Sequence, residues 1–276
     1  MLAMVAILTG CQEKELDMTV VKETAYQEYD IHSIRVNDAW NFTIVQDDGP
    51  SFVELEYTAF LEEYMHIQYE DDSFFFYLGP HPKLPYNTIL NATIHTNYLR
   101  ALSLNKAATA VLEGDFATPS LQVELDGASV CKGGVFSGEK ASLVLNDASQ
   151  WVDFSFDGQC CSVSLDGASF FKGKPTVTDS LLISLDEASW MTMYGGSAPA
   201  VNVNANKASS INMTQTEVDR LQLSLSKSSE AYVNVRDSLQ GTLREASSLY
   251  YHRHPGLVLS IDLDESSHLS PLDSKF

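Results

Sequence analysis

The stretch Leu125-Asp126-Gly127-Ala128-Ser129 decides the fold, because close relatives of it return at a spacing of 20 residues. A period held over many copies is the signature of a solenoid, in which each unit stacks on its neighbours and buries a face that it could not bury alone. The copies occupy residues 145–149, 165–169, 185–189, 205–209 and 225–229, with drifted copies at 104–108, 243–247 and 263–267.

Apolar and polar residues alternate just before each copy. Cys161, Val163 and Leu165 are apolar, whereas Ser162 and Ser164 between them are polar. This alternation predicts a strand with one face turned inward. A second apolar column follows the serines and predicts a second inward strand face. Its members are Cys131, Trp151, Phe171, Met191, Ile211, Ala231, Leu249 and Leu269.

The Asp-Gly pair of the repeat predicts a turn between the two strands, since Asp and Asn bond their own backbone and Gly accepts left-handed dihedrals. The Ala that follows is predicted to form a tight inward corner, and the Ser after it a ladder of hydroxyls. Helical repeats would need longer units with apolar spacings of three and four, which the sequence lacks. The prediction is an all-β, single-stranded parallel β-helix with coils of about 20 residues.

The composition excludes some classes of partner. The chain has 276 residues and a net charge of −20, from 37 acidic and 17 basic side chains. Such an acidic surface repels nucleic acid and adsorbs poorly to anionic membranes. The 13 Phe and 12 Tyr residues nevertheless indicate a folded core.

The first eleven residues resemble the signal peptide of a bacterial lipoprotein. An apolar run ends in Leu8-Thr9-Gly10-Cys11, which is similar to a lipobox, so Cys11 is the predicted lipid attachment point. The pattern departs from the typical one because no Lys or Arg precedes the apolar run. The acidic tether after Cys11 resembles the signal that sends Bacteroidetes lipoproteins to the outer membrane. Display at the cell surface is expected, the periplasmic face being the alternative.

The chain divides into five predicted segments. They are a signal peptide (1–10), an acidic tether (11–27), an irregular β section that begins or caps the solenoid (28–100), the parallel β-helix (101–270) and a C-terminal tail (271–276). The β section lacks the 20-residue register, but its apolar runs predict strands at 34–36, 42–45, 52–55 and 74–77, and 59–65 suits a helical turn.

Together these features resemble the putative auto-transporter adhesin, head GIN domain family, common among Bacteroidetes lipoproteins of unknown function. The resemblance covers roughly residues 28–270 and rests on the strands near 34–57, the stretch 92–96 and the units 126–129 and 166–169. It implies a right-handed parallel β-helix and supplies no catalytic residues. Glycine is lost from later copies, at Asp147, Glu187, Lys207 and Lys227, so the turn geometry there is an open question.

Outward aromatic side chains are the predicted binding residues. Phe170 and Trp190 should lie one coil apart and offer a platform to sugar rings or to a protein, and Tyr250 and Tyr251 form a second aromatic group. The alternative is that a loop or a neighbouring face covers these aromatics.

Other residue columns are predicted to serve architecture. The column of Asp126, Asn146, Asp166, Asp186 and Asn206 would stack oxygens that suit Ca²⁺, but turn formation is the favoured interpretation. The repeated Ser residues have no recurring His beside them, so no catalytic residue is assigned. His252 and His254 lack a third ligand, and neither a metal nor a cofactor is predicted.

Three functions follow from the sequence alone. The first is a lipid-anchored, adhesin-like binding module for a glycan or a surface protein. The second is a structural rod of the envelope with no ligand. The third and weakest is a carbohydrate-active enzyme, since some β-helices are polysaccharide lyases, although the loops here are short and basic residues sparse. Ligand, membrane leaflet and oligomeric state stay open.

Overall fold

The computed structural model of the chain describes residues 16–81 and 83–272. In this part the chain forms a β-solenoid, which confirms the predicted fold class. Its strands are β1 (Val20–Ala25), β2 (Ser33–Asn37), β3 (Asn41–Gln46), β4 (Phe52–Thr58), β5 (Met65–Glu70), β6 (Ser73–Leu78), β7 (Leu90–Thr96), β8 (Ala101–Asn105), β9 (Thr109–Ala117), β10 (Ser120–Leu125), β11 (Val130–Leu145), β12 (Gln150–Leu165), β13 (Phe170–Leu185), β14 (Trp190–Met193), β15 (Ser197–Ala205), β16 (Ser210–Leu225), β17 (Glu230–Leu243), β18 (Ser248–Tyr251), β19 (Val258–Leu263) and β20 (His268–Pro271).

The coils stack in parallel with the 20-residue register that the repeat predicts. Leu125 lies opposite Leu145, which lies opposite Leu165 and then Leu185. All four are at most 1% exposed, so the inward row is dry. We call the face that holds this row the first face and the face that holds Trp151 and Phe171 the second face. The long strands β11, β12, β13, β16 and β17 bend and belong to both.

The start of the solenoid departs from chain order. β2 lies between β6 and β8, and β3 lies between β7 and β9, so the coil made of β6 and β7 is outermost although it comes later in the sequence. Antiparallel strands then cover it: β5 pairs with β6, β4 with β7, and β1 with β4. The strands predicted at 34–36, 42–45, 52–55 and 74–77 are confirmed, and a 3₁₀ turn spans Ala59–Leu61.

The corner after the first face contains two consecutive residues in the left-handed region. Gly167 and Ala168 have φ values of 62° and 62°, and Glu187 and Ala188 have 51° and 60°. The left-handed corner is therefore kept where glycine is lost. The prediction of an inward Ala is wrong: Ala168 is exposed, because the left-handed pair turns the following serine inward instead.

Each corner is tied to the next by the backbone. The amide of Ala148 donates to the carbonyl of Gly167 at 2.8 Å, and the amide of Ala168 donates to the carbonyl of Glu187 at 2.8 Å. All four residues that these two bonds join have positive φ. The strain of an L-residue there, about 1–2 kcal/mol, is offset by this ladder.

Replacing Ala168 by glycine should relieve that strain. We expect Ala168→Gly to raise the free energy of unfolding by about 1 kcal/mol, measured by denaturant titration, because glycine adopts positive φ without a Cβ clash. Ala141→Gly is the control: Ala141 is buried within β11 in extended backbone, where glycine adds unfolded-state entropy and removes a buried methyl group, so it should destabilise. Destabilisation by both substitutions would contradict the strain argument.

The inward serines bond to the backbone of their own corner. The Oγ of Ser169 donates to the carbonyl of Asp166 at 2.6 Å, and the Oγ of Ser209 donates to the carbonyl of Asn206 at 2.7 Å. Both serines are at most 1% exposed. The predicted ladder of hydroxyls is thus a series of local bonds that lock each turn. Ser149 and Ser189 break the series, because among the described residues their buried Oγ atoms have no partner.

This difference separates two otherwise equivalent serines. Ser169→Ala should lower the free energy of unfolding by about 1 kcal/mol, since it deletes a buried hydrogen bond. Ser149→Ala should change it by much less, because its hydroxyl makes no such bond. Equal losses in the two variants, measured by the same titration, would show that the hydroxyl bond does not decide corner stability.

Candidate functional site

The outer side of the second face carries an aromatic pair, of which Trp190 is exposed and Phe170 half-buried. β13 and β14 place Phe170 directly opposite Trp190 in the parallel register. Their ring centroids are 5.9 Å apart at 73°, an edge-to-face arrangement that aromatic quadrupoles favour. Trp190 remains 56% exposed, which is unusual for a side chain of this size. The predicted outward juxtaposition is confirmed, while the binding role of these residues stays a prediction.

A second aromatic pair lies further along the same face. Tyr250 stacks on Tyr232, with ring centroids 4.8 Å apart and planes at 12°. Burial, followed by the charge of Glu230, raises the pKa of Tyr232, so its phenol stays neutral. Tyr251 is different from Tyr250: it follows the inward row and packs against the core. The structure therefore does not place Tyr250 and Tyr251 on one surface. The aromatic partner of Tyr250 on the outer side is Tyr232.

Polar side chains surround the Phe170–Trp190 pair. Strand register puts Ser210 beside Trp190 on the next coil, and Thr192 beside Lys172 and Asn212 two residues along. The Nζ of Lys172 lies 5.4 Å from the ring centroid of Tyr194 and 3.9 Å from Asp153. The surface thus combines two apolar rings with hydroxyl, amide and ammonium groups at fixed strand spacings.

A polar groove at the N-terminal end of the second face was missed by the sequence reasoning. It has a volume of about 850 Å³ and lies over β1, β4, β7, β3 and β9. Asn41 Nδ2 donates to Asn91 Oδ1 at 3.3 Å, and Asn91 in turn donates to Glu56 at 3.1 Å. Lys22 bonds Glu56 at 2.7 Å, which raises the pKa of Lys22 and lowers that of Glu56. The signal for this groove was an Asn-x-Thr pattern at both 41–43 and 91–93.

The Asp and Asn column serves the corners, as its turn interpretation predicts. Asp166 Oδ1 accepts from the Gly167 amide at 2.9 Å. Although desolvation opposes it, bonds from the Glu187 amide and Lys207 lower the pKa of Asp186. Across residues 16–81 and 83–272, no group of three His, Cys, Asp or Glu is arranged to hold a metal ion.

The histidine pair and the serines give no catalytic geometry. His254 Nε2 lies 2.6 Å from Asn234 Oδ1, a contact that includes no carboxylate. The Oγ of Ser169 is buried and committed to a carbonyl, so it is unavailable as a nucleophile. Neither arrangement couples a nucleophile to a base.

Three cysteines lie within the described residues and are free thiols. Cys131 and Cys161 are buried, and burial raises the pKa of the Cys161 thiol to about 12. Cys160 is half-buried, with its Sγ 3.4 Å from Asp179. The predicted role of Cys11 lies outside the described residues. In the part of the chain that the structure covers, no helix is long and apolar enough to cross a membrane.

Solved structures share this fold. A putative adhesin from Parabacteroides merdae has a TM-score of 0.67 at 12% identity, over 92% of this chain and 96% of that one. A putative lipid binding protein from Parabacteroides distasonis has a TM-score of 0.66 at 12% identity, over 94% and 98%. A putative adhesin from the same species has a TM-score of 0.60 at 16% identity, over 93% and 98%. No curated protein matches the chain.

A family model covers most of the chain. The model described as putative auto-transporter adhesin, head GIN domain, matches residues 30–255, from the second strand through the loop that follows β18. This span includes the antiparallel strands β4 and β5, every corner up to residue 247 and both aromatic pairs. The chain belongs to the family described as putative auto-transporter adhesin, head GIN domain.

Proposed function

We propose that the protein is a non-enzymatic, adhesin-like binding module displayed at the bacterial surface. The observation that carries the proposal is the outward Phe170–Trp190 pair on a regular β face, in which Trp190 is exposed and Phe170 half-buried. Membership of an adhesin family supports a surface or extracellular location. The ligand is a glycan or a surface protein.

The physical case rests on the free energy of covering Trp190. An aromatic side chain buries about 150–250 Å² when fully covered, at roughly 25 cal/mol for each Å² of apolar surface. More than half of Trp190 is open, at 56% exposure, so a partner that covers the ring gains binding free energy there. Thr192, Ser210 and Asn212 lie beside Trp190 in the strand register and offer hydroxyl and amide groups to a ligand. Such a centre with a polar rim is typical of binding hot spots.

The scaffold lowers the cost of binding. Trp190 and Phe170 lie on strands that are hydrogen-bonded to neighbours on both sides, so little backbone entropy is lost when a ligand binds. A non-enzymatic role fits the same geometry, because the outer face is open and its ionisable groups form surface ion pairs such as Lys172 with Asp153. Enzymes instead enclose their reacting groups in a cleft.

Attachment to the outer membrane through lipid on Cys11 is part of the proposal. It is supported by the lipobox-like sequence that ends at Cys11 and by the acidic residues that follow. Each buried CH₂ of an acyl chain contributes about 0.8 kcal/mol, so several chains on one cysteine anchor a protein firmly. An anchored β-solenoid would hold its aromatic face clear of the membrane.

The aromatic surface is tested by a double substitution. Phe170→Ala with Trp190→Ala should weaken binding to a glycan array or to extracted surface proteins by at least tenfold, since loss of about 1.4 kcal/mol already has that effect. Leu182→Ala is the matched control, because Leu182 is 51% exposed but lies on the first face. Binding that survives the double substitution would remove this surface from the proposal.

Anchoring is tested separately with Cys11→Ser. Cells that express the unchanged chain should carry it in the membrane fraction, labelled by metabolic incorporation of an alkynyl fatty acid. The Cys11→Ser chain should lose the label and the membrane association. Cys160→Ser is the control, because Cys160 lies within the folded solenoid and should keep both. Label retained by Cys11→Ser would refute lipidation at this residue.

A further inference from the structure

The polar groove at the N-terminal end and the Phe170–Trp190 pair lie on the same outer face of the solenoid. Strand register places Asn91 opposite Asn41, and Asn41 opposite Thr109. The same outward row continues from coil to coil and reaches the aromatic pair. Its members after Thr109 are Val130, Gln150, Phe170 and Trp190. The groove and the pair are therefore two parts of one continuous surface on the second face.

The surface that joins them is long. From Asn41 on β3 to Trp190 on β14 the chain passes through β9, β11, β12 and β13, each hydrogen-bonded to the next. At about 4.8 Å for each step, the distance is roughly 24 Å. The row that joins the two residues is uncharged. The row beside it contains Lys132 and Lys172, and Lys172 pairs with Asp153.

The groove offers open hydrogen-bonding groups to a ligand. The hydroxyls of Thr43, Thr93 and Thr109 line it, and among the described residues none of these hydroxyls has a hydrogen-bond partner. The Asn41 amide uses one N–H on Asn91, so its second N–H and its carbonyl oxygen stay open. Donors and acceptors thus lie side by side at strand spacing.

The charged groups of the groove hold its shape and set its sign. The Nζ of Lys22 lies 2.7 Å from Glu56, which accepts a second bond from Asn91 at 3.1 Å. Among the described residues that line the groove, Lys22 is the one cation, and Glu56 neutralises it. Glu23 and Glu54 add negative charge to the same lining. The groove therefore repels phosphates, uronic acids and other anions.

We propose that a linear, uncharged polysaccharide lies along this surface, with one sugar ring covering Trp190 and later sugars bonded in the groove. This inference rests on the proposed binding function and names its ligand class. A sugar hydroxyl both donates and accepts, as the open groups of Asn41 and the threonines require. The groove carboxylates disfavour an anionic chain, and Lys132 and Lys172 disfavour a cationic one.

A peptide fits the same surface less well. β3, β9 and β11 to β14 are hydrogen-bonded on both sides, so they offer no strand edge for a peptide to join. A protein partner would also have to cover the Lys22–Glu56 ion pair, whereas the centres of protein interfaces are depleted of charged residues. A polysaccharide keeps its own hydration along its open side and avoids that cost.

Ligand affinity should rise with the length of the polysaccharide. Short oligosaccharides reach the aromatic pair alone, whereas a chain that extends into the groove gains further bonds within the same binding event. The test is isothermal titration calorimetry of the full chain carrying Cys11→Ser. The probes are size-graded oligosaccharides, from disaccharides upward, of neutral glucans, mannans, galactans and xylans.

A double substitution tests the groove itself. Asn41→Ala with Asn91→Ala should weaken the binding of the longest oligosaccharides by about tenfold, because it deletes the amide groups that meet the sugar hydroxyls. Binding of the shortest should not change. Asn202→Ala with Asn204→Ala is the matched control, since both residues are exposed on the outer side of the first face. Circular dichroism checks that each variant keeps its β structure.

Failure of this inference can be told apart from failure of the proposed function. Long oligosaccharides that ignore the Asn41 and Asn91 substitutions, but are lost with Phe170→Ala and Trp190→Ala, would overturn the inference alone. A surface protein captured through the aromatic pair, with no neutral oligosaccharide bound, would do the same. Oligogalacturonates that bind as tightly as neutral chains would overturn the uncharged ligand. If no binding depends on the aromatic pair, the proposed function and the inference both fail.

Discussion

The left-handed corner is the constraint on which the rest of the structure depends. Two consecutive residues with positive φ, such as Gly127 at 59° and Ala128 at 63°, turn the chain within a fixed number of residues. The amide of the second then bonds the carbonyl of the first in the following coil, as Ala128 does with Asp147 at 2.8 Å. Because the corner has constant length, the strands on both sides keep their register, and the inward rows stay aligned from coil to coil.

Much of this architecture is predictable from the sequence. The alternation of apolar and polar residues around Val163 and Leu165 predicts a strand with an inward row. The 20-residue repeat predicts that the coils stack in register, which places Phe170 beside Trp190. The direction of the corner residues is not predictable in the same way. Ala rarely adopts positive φ, so the sequence suggests a small inward residue at Ala168, whereas backbone conformation turns Ser169 inward.

The parts that escaped prediction depend on contacts without the regular period. Tyr232 and Tyr250 are 18 residues apart, because the repeat shortens there, and Asn41 and Asn91 are 50 apart. The outermost coil is built from β6 and β7, which follow β2 and β3 in the chain but lie beyond them in space. No column of residues signals that reversal, since residues 47–100 lack the repeat. The first face and the aromatic pair of β13 and β14 are thus the parts that can be predicted from the sequence.

The antiparallel strands that cover the outermost coil make the N-terminal end of the solenoid resistant to unravelling. In a solenoid each coil is stabilised only by its neighbours, so melting proceeds coil by coil from whichever end costs least to loosen. Opening the N-terminal end must first remove the antiparallel strand β5 from β6, and it then uncovers Phe74, which is 0% exposed. The antiparallel strands would therefore protect the outermost coil from fraying under mechanical tension and from proteolysis.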